Sequence, residues 1–263
     1  MDFLSGKAHL TSIMTTPDTH ATLNGPFDPA VQNSLELKGF ARVPHDVMRP
    51  ALEQLGLKDW ASFAESWNHL GLDRYMADAG RYRRRRYATF AVDQTTITPK
   101  QRQPHYQSRD HNILNGGIQR WFKAIEPRVA AHPAMHAAIR AIASLAYALT
   151  PAESRPHTWH AEVHQFRIEA LPDEAGQPTP EGMHKDGVDW VLVLMINRSN
   201  VEQGTTTIHD NEQNLLGSFT LTNPLDAALV DDHRVFHGVT PVTPINPAQP
   251  AYRDVLVITL RHE

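Results

Sequence analysis

The sequence contains no cysteine. Disulfides, thiolate nucleophiles, Cys-ligated zinc and iron–sulfur clusters are therefore excluded, and any bound metal must be held by histidines and carboxylates. No apolar run approaches the length of a membrane span, and Met1–Ser5 lacks the charged-then-apolar opening of a secretory leader. With the lack of cysteine, this makes a cytoplasmic location the expectation. Charge of one sign is missing too: 25 basic residues stand against 29 acidic ones, and a net charge of -4 gives no support to nucleic-acid binding. Internal repeats and low-complexity tracts are absent. What remains is ordinary globular composition, 41% hydrophobic and 21% charged over 263 residues. Residues 1–30 are polar and aperiodic and read as a loosely ordered arm; residues 31–263 read as one domain with a substantial core.

The chain has a helical front and a strand-rich back. Leu35 to Val43 reads as a first strand. Helical spacing places Val47, Leu52 and Leu55, then Trp60, Phe63, Trp67 and Leu70, on apolar faces. Arg81 to Val92 reads as a strand. After Gly116-Gly117, the positions of Ile118, Trp121, Phe122 and Ile125 predict a further amphipathic helix, and Pro133 opens an Ala- and Leu-rich helix ending near Leu149. Beyond about residue 150 the runs are short and β-branched: 158–171, 188–196, 204–208, 218–221, 227–230 and 252–260, separated by Gly, Pro, Asn and Asp. Many short strands without intervening helices predict an antiparallel double sheet, a jelly roll backed by the N-terminal helices: an α+β, mainly β fold.

Chemistry concentrates in the strand-rich part. His184-Lys185-Asp186-Gly187 is followed by His237-Gly238-Val239, and sixteen residues after His237 stands Arg253. In an extended segment, residues i and i+2 project to one side, so His184 and Asp186 can share a metal ion with a His on a neighbouring strand. Two imidazoles and one carboxylate can occupy one face of an octahedral Fe(II), leaving three positions for a chelating co-substrate and O₂. An arginine opening the last strand can hold the far carboxylate of a dicarboxylate whose other end chelates the metal. With sixteen histidines, about one His-x-Asp is expected by chance, so the ordered set carries the weight rather than the pair. Iron-dependent oxygenation with 2-oxoglutarate is the reading these residues favour. The alternatives are a non-catalytic jelly roll that keeps a metal for stability or ligand sensing, and a metallohydrolase; neither needs Arg253.

Several stretches resemble the bacterial 2-oxoglutarate/Fe(II) dioxygenases of the L-isoleucine 4-hydroxylase type. They are Pro180–Gly187, Asn197–Gly204, His237–Pro241 and Tyr252–Val257, with Arg85-Arg86-Tyr87, Gly116-Gly117-Ile118 and Val163–Arg167. The resemblance covers most of the chain after about residue 35. It implies a double-stranded β-helix, hydroxylation of a free aliphatic L-amino acid such as leucine, isoleucine or methionine (or oxidation of methionine sulfur), and release of succinate and CO₂. It further implies His184, Asp186 and His237 as iron ligands and Arg253 as the 2-oxoglutarate anchor. Two departures stand out: Val255 occupies a place where many relatives have Ser or Thr, and a usual Gly-Gly reads Gln203-Gly204. A small-molecule substrate is expected, with no nucleic-acid or membrane partner. For substrate contacts, the sequence suggests Arg86 as an inward carboxylate clamp within Arg83–Arg86, Gln165 as a polar group facing the cavity, and Trp190 as a pocket wall close to Asp186. Arg261 is the alternative anchor should Arg253 point elsewhere.

Overall fold

Helix caps set the front of the molecule. The computed structural model describes residues 25–76, 78, 80–112, 114 and 116–263. Pro29 opens helix α1 (Pro29–Lys38), the Asp28 carboxylate accepts from the free Ala30 N–H, and Gly39 ends the helix at φ 77°. Most of the arm expected over 1–30 lies outside the described residues. The strand expected over 35–43 is confined to β1 (Phe40–Val43), because the capped helix runs through its first half and buries Val31 and Leu35 four residues apart. Helices α2 (His45–Gln54) and α3 (Trp60–Glu65) follow, the latter passing into a tight turn over Ser66–His69. Strands β2 (Gly71–Leu72), β3 (Arg83–Val92) and β4 (Ile97–Pro99) precede a long connection.

The helix expected over 118–125 is not formed. Arg120 exchanges both backbone hydrogen bonds with His105, and Ile125 donates to Tyr87, so this stretch runs extended beside the sheet. Pairing with a distant strand overrode a short apolar spacing that extended chain meets equally well. After α4 (Pro127–Ala130), α5 (Pro133–Leu149) forms as its composition predicts, with the His132 ring accepting from Ala134 N–H at its start. Its interior is nearly all Ala, Ile and Leu, and it is buried on almost every side.

From there the chain is strands: β5 (Trp159–Ala170), β6 (Trp190–Ser199), β7 (Val201–Gln203), β8 (Thr205–His209), β9 (Leu215–Thr220), β10 (Ala227–Asp231), β11 (Phe236–Val239), β12 (Val242–Pro244) and β13 (Ala251–His262). The main sheet runs β1-β10-β6-β13-β5-β3-β2, with β4 on β3, and every pairing is antiparallel. A smaller sheet, β11-β8-β9, faces it through Phe40, Val191, Ile208 and Val230. The pair β12-β7 completes a jelly roll. The Gln203-Gly204 departure leaves the turn formed but strained at one position: both residues take positive φ, 61° and 72°, which a second glycine would adopt without the steric cost that Gln203 bears. Among the described residues no helix is long and apolar enough to cross a membrane.

The main sheet separates two environments by residue parity. On β5, Trp159, Ala161 and Val163 join the core beneath α5; so do Trp190, Leu192 and Leu194 on β6, and Leu256, Ile258 and Leu260 on β13. The alternate residues, Glu162, His164 and Phe166, Val191 and Val193, and Arg253, Val255 and Val257, line a cavity of about 520 Å³ on the opposite face.

Candidate active site

A loop, not a strand, presents the first two candidate ligands. His184 and Asp186 lie between β5 and β6, and the loop is stitched to β11 by reciprocal backbone bonds: His184 N–H to His237 O at 2.9 Å and His237 N–H to His184 O at 3.0 Å. That single bridge brings the three side chains together. Their ligand atoms lie within 4.8 Å of one another, and the two imidazole centroids are 4.5 Å apart. The Gly182 carbonyl accepts at 3.1 Å from His184 Nδ1, which fixes the proton there and leaves Nε2 towards Asp186 Oδ1, 3.6 Å away. His237 Nε2 faces Asp186 Oδ2 at 3.5 Å. Burial disfavours the His184 imidazolium, but the Asp186 carboxylate 3.6 Å away, with Glu181 beside it, raises its pKa to about 9. Burial would likewise raise the Asp186 carboxyl, yet the two imidazoles hold it well below its ordinary value. Such a set, charged and crowded without a cation, fits a divalent metal that takes neutral imidazoles and a carboxylate.

Two residues that the sequence reading missed hold this loop. Buried Asp232 accepts three consecutive backbone N–H groups, from Asp186 at 3.0 Å, Gly187 at 2.7 Å and Val188 at 3.1 Å. Gln107 donates to the Asp186 carbonyl at 3.1 Å and to Asp186 Oδ1 at 3.4 Å, while its own carbonyl accepts from Arg120 at 2.9 Å. Gly187 has φ 76°, and a Cβ there would strike the His111 ring at 2.5 Å, so the chain can turn here only with glycine. An acidic residue just after β10 was the one available signal for Asp232. Gln107 sits in an aperiodic connection and gave none.

Arg253 lines the same cavity. It is fully enclosed, and among the described residues its Nε and Nη2 have no hydrogen-bond partner. Burial, with repulsion from neighbouring Arg198, pushes its pKa down to about 10, so it stays charged at neutral pH. A buried cation with free donors is costly unless a ligand anion meets it, and a planar carboxylate matches the guanidinium fork. Arg261 also lines the cavity, but its side is exposed to solvent.

The suggested substrate contacts are corrected by the same parity. Arg86 faces away from the cavity; its donors go to the His69 carbonyl, the Ala124 carbonyl at 2.7 Å and Glu126 at 2.8 Å. Gln165 turns towards the helices and donates to Ser66 at 2.9 Å. Trp190 packs in the core under α5, its indole N–H on Thr150 at 3.2 Å. All three sit one residue out of phase with the cavity-facing set. Arg83 and Arg85 of β3 face inward instead.

The cavity wall carries a second group of the same composition, His105, Glu162 and His164, all buried. Here the carboxylate is already satisfied: His105 Nδ1 lies 2.8 Å from one oxygen, and the Tyr87 hydroxyl donates to the other at 2.8 Å. Arg85 donates to His164 Nδ1 at 2.9 Å.

Comparison with known proteins agrees with this arrangement. The sequence profile of a family described as 2OG-Fe dioxygenase matches residues 64–259. The chain is 25% identical over 234 residues to an L-isoleucine-4-hydroxylase of Bacillus thuringiensis, covering 88% of this chain and 94% of that protein. It is 35% identical over 100 residues to a 3(1)-hydroxy-L-isoleucine 4-dioxygenase of Pantoea ananatis, 38% of this chain and 40% of that one. A crystal structure of a bsmA homolog from Methylobium petroleophilum superposes with a TM-score of 0.79 at 33% identity, over 89% of this chain and 92% of that one.

Proposed function

The chain belongs to the 2OG-Fe dioxygenase family, and from that premise we propose that it hydroxylates, or oxidises at sulfur, a free aliphatic L-amino acid such as leucine, isoleucine or methionine. Iron and 2-oxoglutarate together supply the activation of O₂, with succinate and CO₂ as by-products. His184, Asp186 and His237 would hold the iron, and Arg253 the distal carboxylate of 2-oxoglutarate. The observation that carries this reading is the meeting, in one cavity, of a three-ligand face with a buried guanidinium whose donors are unpaired. A structural metal site would leave Arg253 with no dicarboxylate to hold.

The chain's own part is to bind, orient and exclude water. Asp232 and Gln107 keep the ligand loop in place. Val191, Val193, Val255 and Val257 give the cavity floor an apolar surface against which an aliphatic side chain can lie. The substrate class rests on the relatives' names and on that floor. Pockets that differ by a methylene discriminate by only about 1–3 kcal/mol, so the test must be a panel. Anaerobic addition of Fe(II) and 2-oxoglutarate should give the weak visible charge-transfer band of the chelate. In air, succinate release should be stimulated by aliphatic L-amino acids, with a product heavier by one oxygen. A band without stimulation by any of the twenty L-amino acids refutes the substrate class and leaves the oxygenase.

A further inference from the structure

Away from Arg253, the cavity holds more fixed positive charge than its own carboxylates absorb. Arg83, Arg85 and Arg120 are all buried, and Asp73 is the buried carboxylate that the first two share: Arg83 Nε binds it at 2.8 Å and Arg85 Nη1 lies 3.5 Å away. Burial would raise the Asp73 carboxyl, yet Arg85 and Arg83 hold it below its ordinary value. Glu162 is taken up by His105 and Tyr87. Among the described residues, Arg83 Nη2 and Arg120 Nε have no hydrogen-bond partner, although both side chains line the cavity. An orphaned acceptor lines the same cavity. Among the described residues Glu181 Oε2 is buried and unpartnered, and its other oxygen is 3.6 Å from His184 Nε2; Arg120 reaches the same cluster through Gln107, which it bonds at 2.9 Å and which bonds Asp186 Oδ1 at 3.4 Å.

Unpaired donors of one sign beside an unpaired acceptor of the other are what a zwitterion satisfies. In an α-amino acid the carboxylate and the ammonium hang on one carbon, so their partners must face one part of the cavity, and Arg120 and Glu181 both border the candidate ligand cluster. We propose that Arg83 and Arg120 receive the α-carboxylate of the substrate and that Glu181 receives its α-ammonium. The proposal rests on the amino-acid reading above and names the groups that recognise that class. It also gives the unmet donors of Arg83 and Arg120 an anion to hold, which a buried guanidinium otherwise lacks at a cost.

The test is an equilibrium binding matrix on the anaerobic Fe(II)- and 2-oxoglutarate-loaded protein, read by calorimetry. The ligands are L-isoleucine, its deaminated analogue 3-methylpentanoic acid, and L-isoleucinamide, which keeps the ammonium and lacks the carboxylate. Glu181→Gln should weaken L-isoleucine by roughly tenfold or more, as expected for loss of a charge-assisted contact, while the deaminated acid binds as before. Arg120→Gln should weaken both acids and spare the amide, and Arg83→Gln should do the same if Arg120→Gln proves unstable. Equal losses over all three ligands, or none, overturn the assignment. Loss of the charge-transfer band in Glu181→Gln also overturns it, by placing Glu181 on the iron. If the wild type binds no aliphatic amino acid, the substrate reading fails and this pairing with it. If it binds them and the variants bind equally well, the pairing alone fails.

Discussion

Two groups of two histidines and one carboxylate line a single cavity, and they behave in opposite ways. In His105–Glu162–His164 the carboxylate receives short bonds from the His105 imidazole, in the connection after β4, and from Tyr87 on β3, which pairs with β5 in continuous register. In His184–Asp186–His237 the imidazoles stand 3.5 and 3.6 Å from the carboxylate, on a loop tied to β11 by one bridge. The first group satisfies itself and builds a wall. The second converges without its members bonding one another, and the point between them is where a cation fits. Composition alone therefore does not mark a metal centre. What distinguishes it is donor atoms that face one another without bonding.

The sharpest way to break this contrast is to truncate each carboxylate in turn. Asp186→Ala should reduce iron-dependent succinate release to background while leaving a folded protein, and His184→Ala and His237→Ala should do the same. Full activity in any of the three, at modest Fe(II), refutes the ligand set. Arg253→Ala comes next. Loss of a bidentate, charge-assisted contact worth about 1.5–3 kcal/mol should raise the 2-oxoglutarate requirement roughly ten- to hundredfold, with iron affinity little changed. Asp232→Ala removes the acceptor for three N–H groups of the ligand loop. Iron affinity, titrated by the charge-transfer band, should fall by about tenfold, since supports behind metal ligands are worth roughly ten- to hundredfold.

The wall group should respond in stability rather than in metal binding. Glu162→Gln leaves a buried donor poorly met, a cost of about 1–3 kcal/mol, and should lower Tm by several degrees with the iron chelate unaltered. A collapse of iron binding in that variant would show that the two groups are not separate. The smallest effect is in pH. Burial, with the neighbouring guanidiniums, holds His105 and His164 below 6.5, His164 well below it. Below pH 6.5 the unfolded chain takes up protons that the folded chain refuses, so stability contributed above 6.5 is lost as pH falls towards the folded values. Urea midpoints should therefore decline from pH 6.5 downwards, and His164→Gln should flatten that slope.

The jelly roll and α5 were legible because strand alternation and helix composition are local patterns; the convergence of His184, Asp186, His237 and Arg253 was legible from their order along the chain, although a loop and not a strand presents the first two. The missed features were non-local. Whether Arg85 or Arg86 faces inward depends on which side of β3 meets the helices, and the apolar end of that strand misled: Ala88 and Phe90 point to the α5 core, so Arg86, on their side, cannot reach the cavity. Asp232 and Gln107 act on a loop 46 and 79 residues away along the chain. The extended course of 118–125 is set by partners in His105 and Tyr87, not by its own composition.

The parity of the main sheet has a consequence for how such a protein can diverge. Along β5, β6 and β13, consecutive residues belong to two interleaved and nearly independent sets, one seen by the ligand and one by α5. Replacing Val193 or Val257 reshapes the chamber in front of the metal, while replacing Leu192 or Ile258, one step along, strikes the packing behind it. A lineage or a designer can therefore retune substrate choice through alternate letters of the same strands without rewriting the letters that keep them folded.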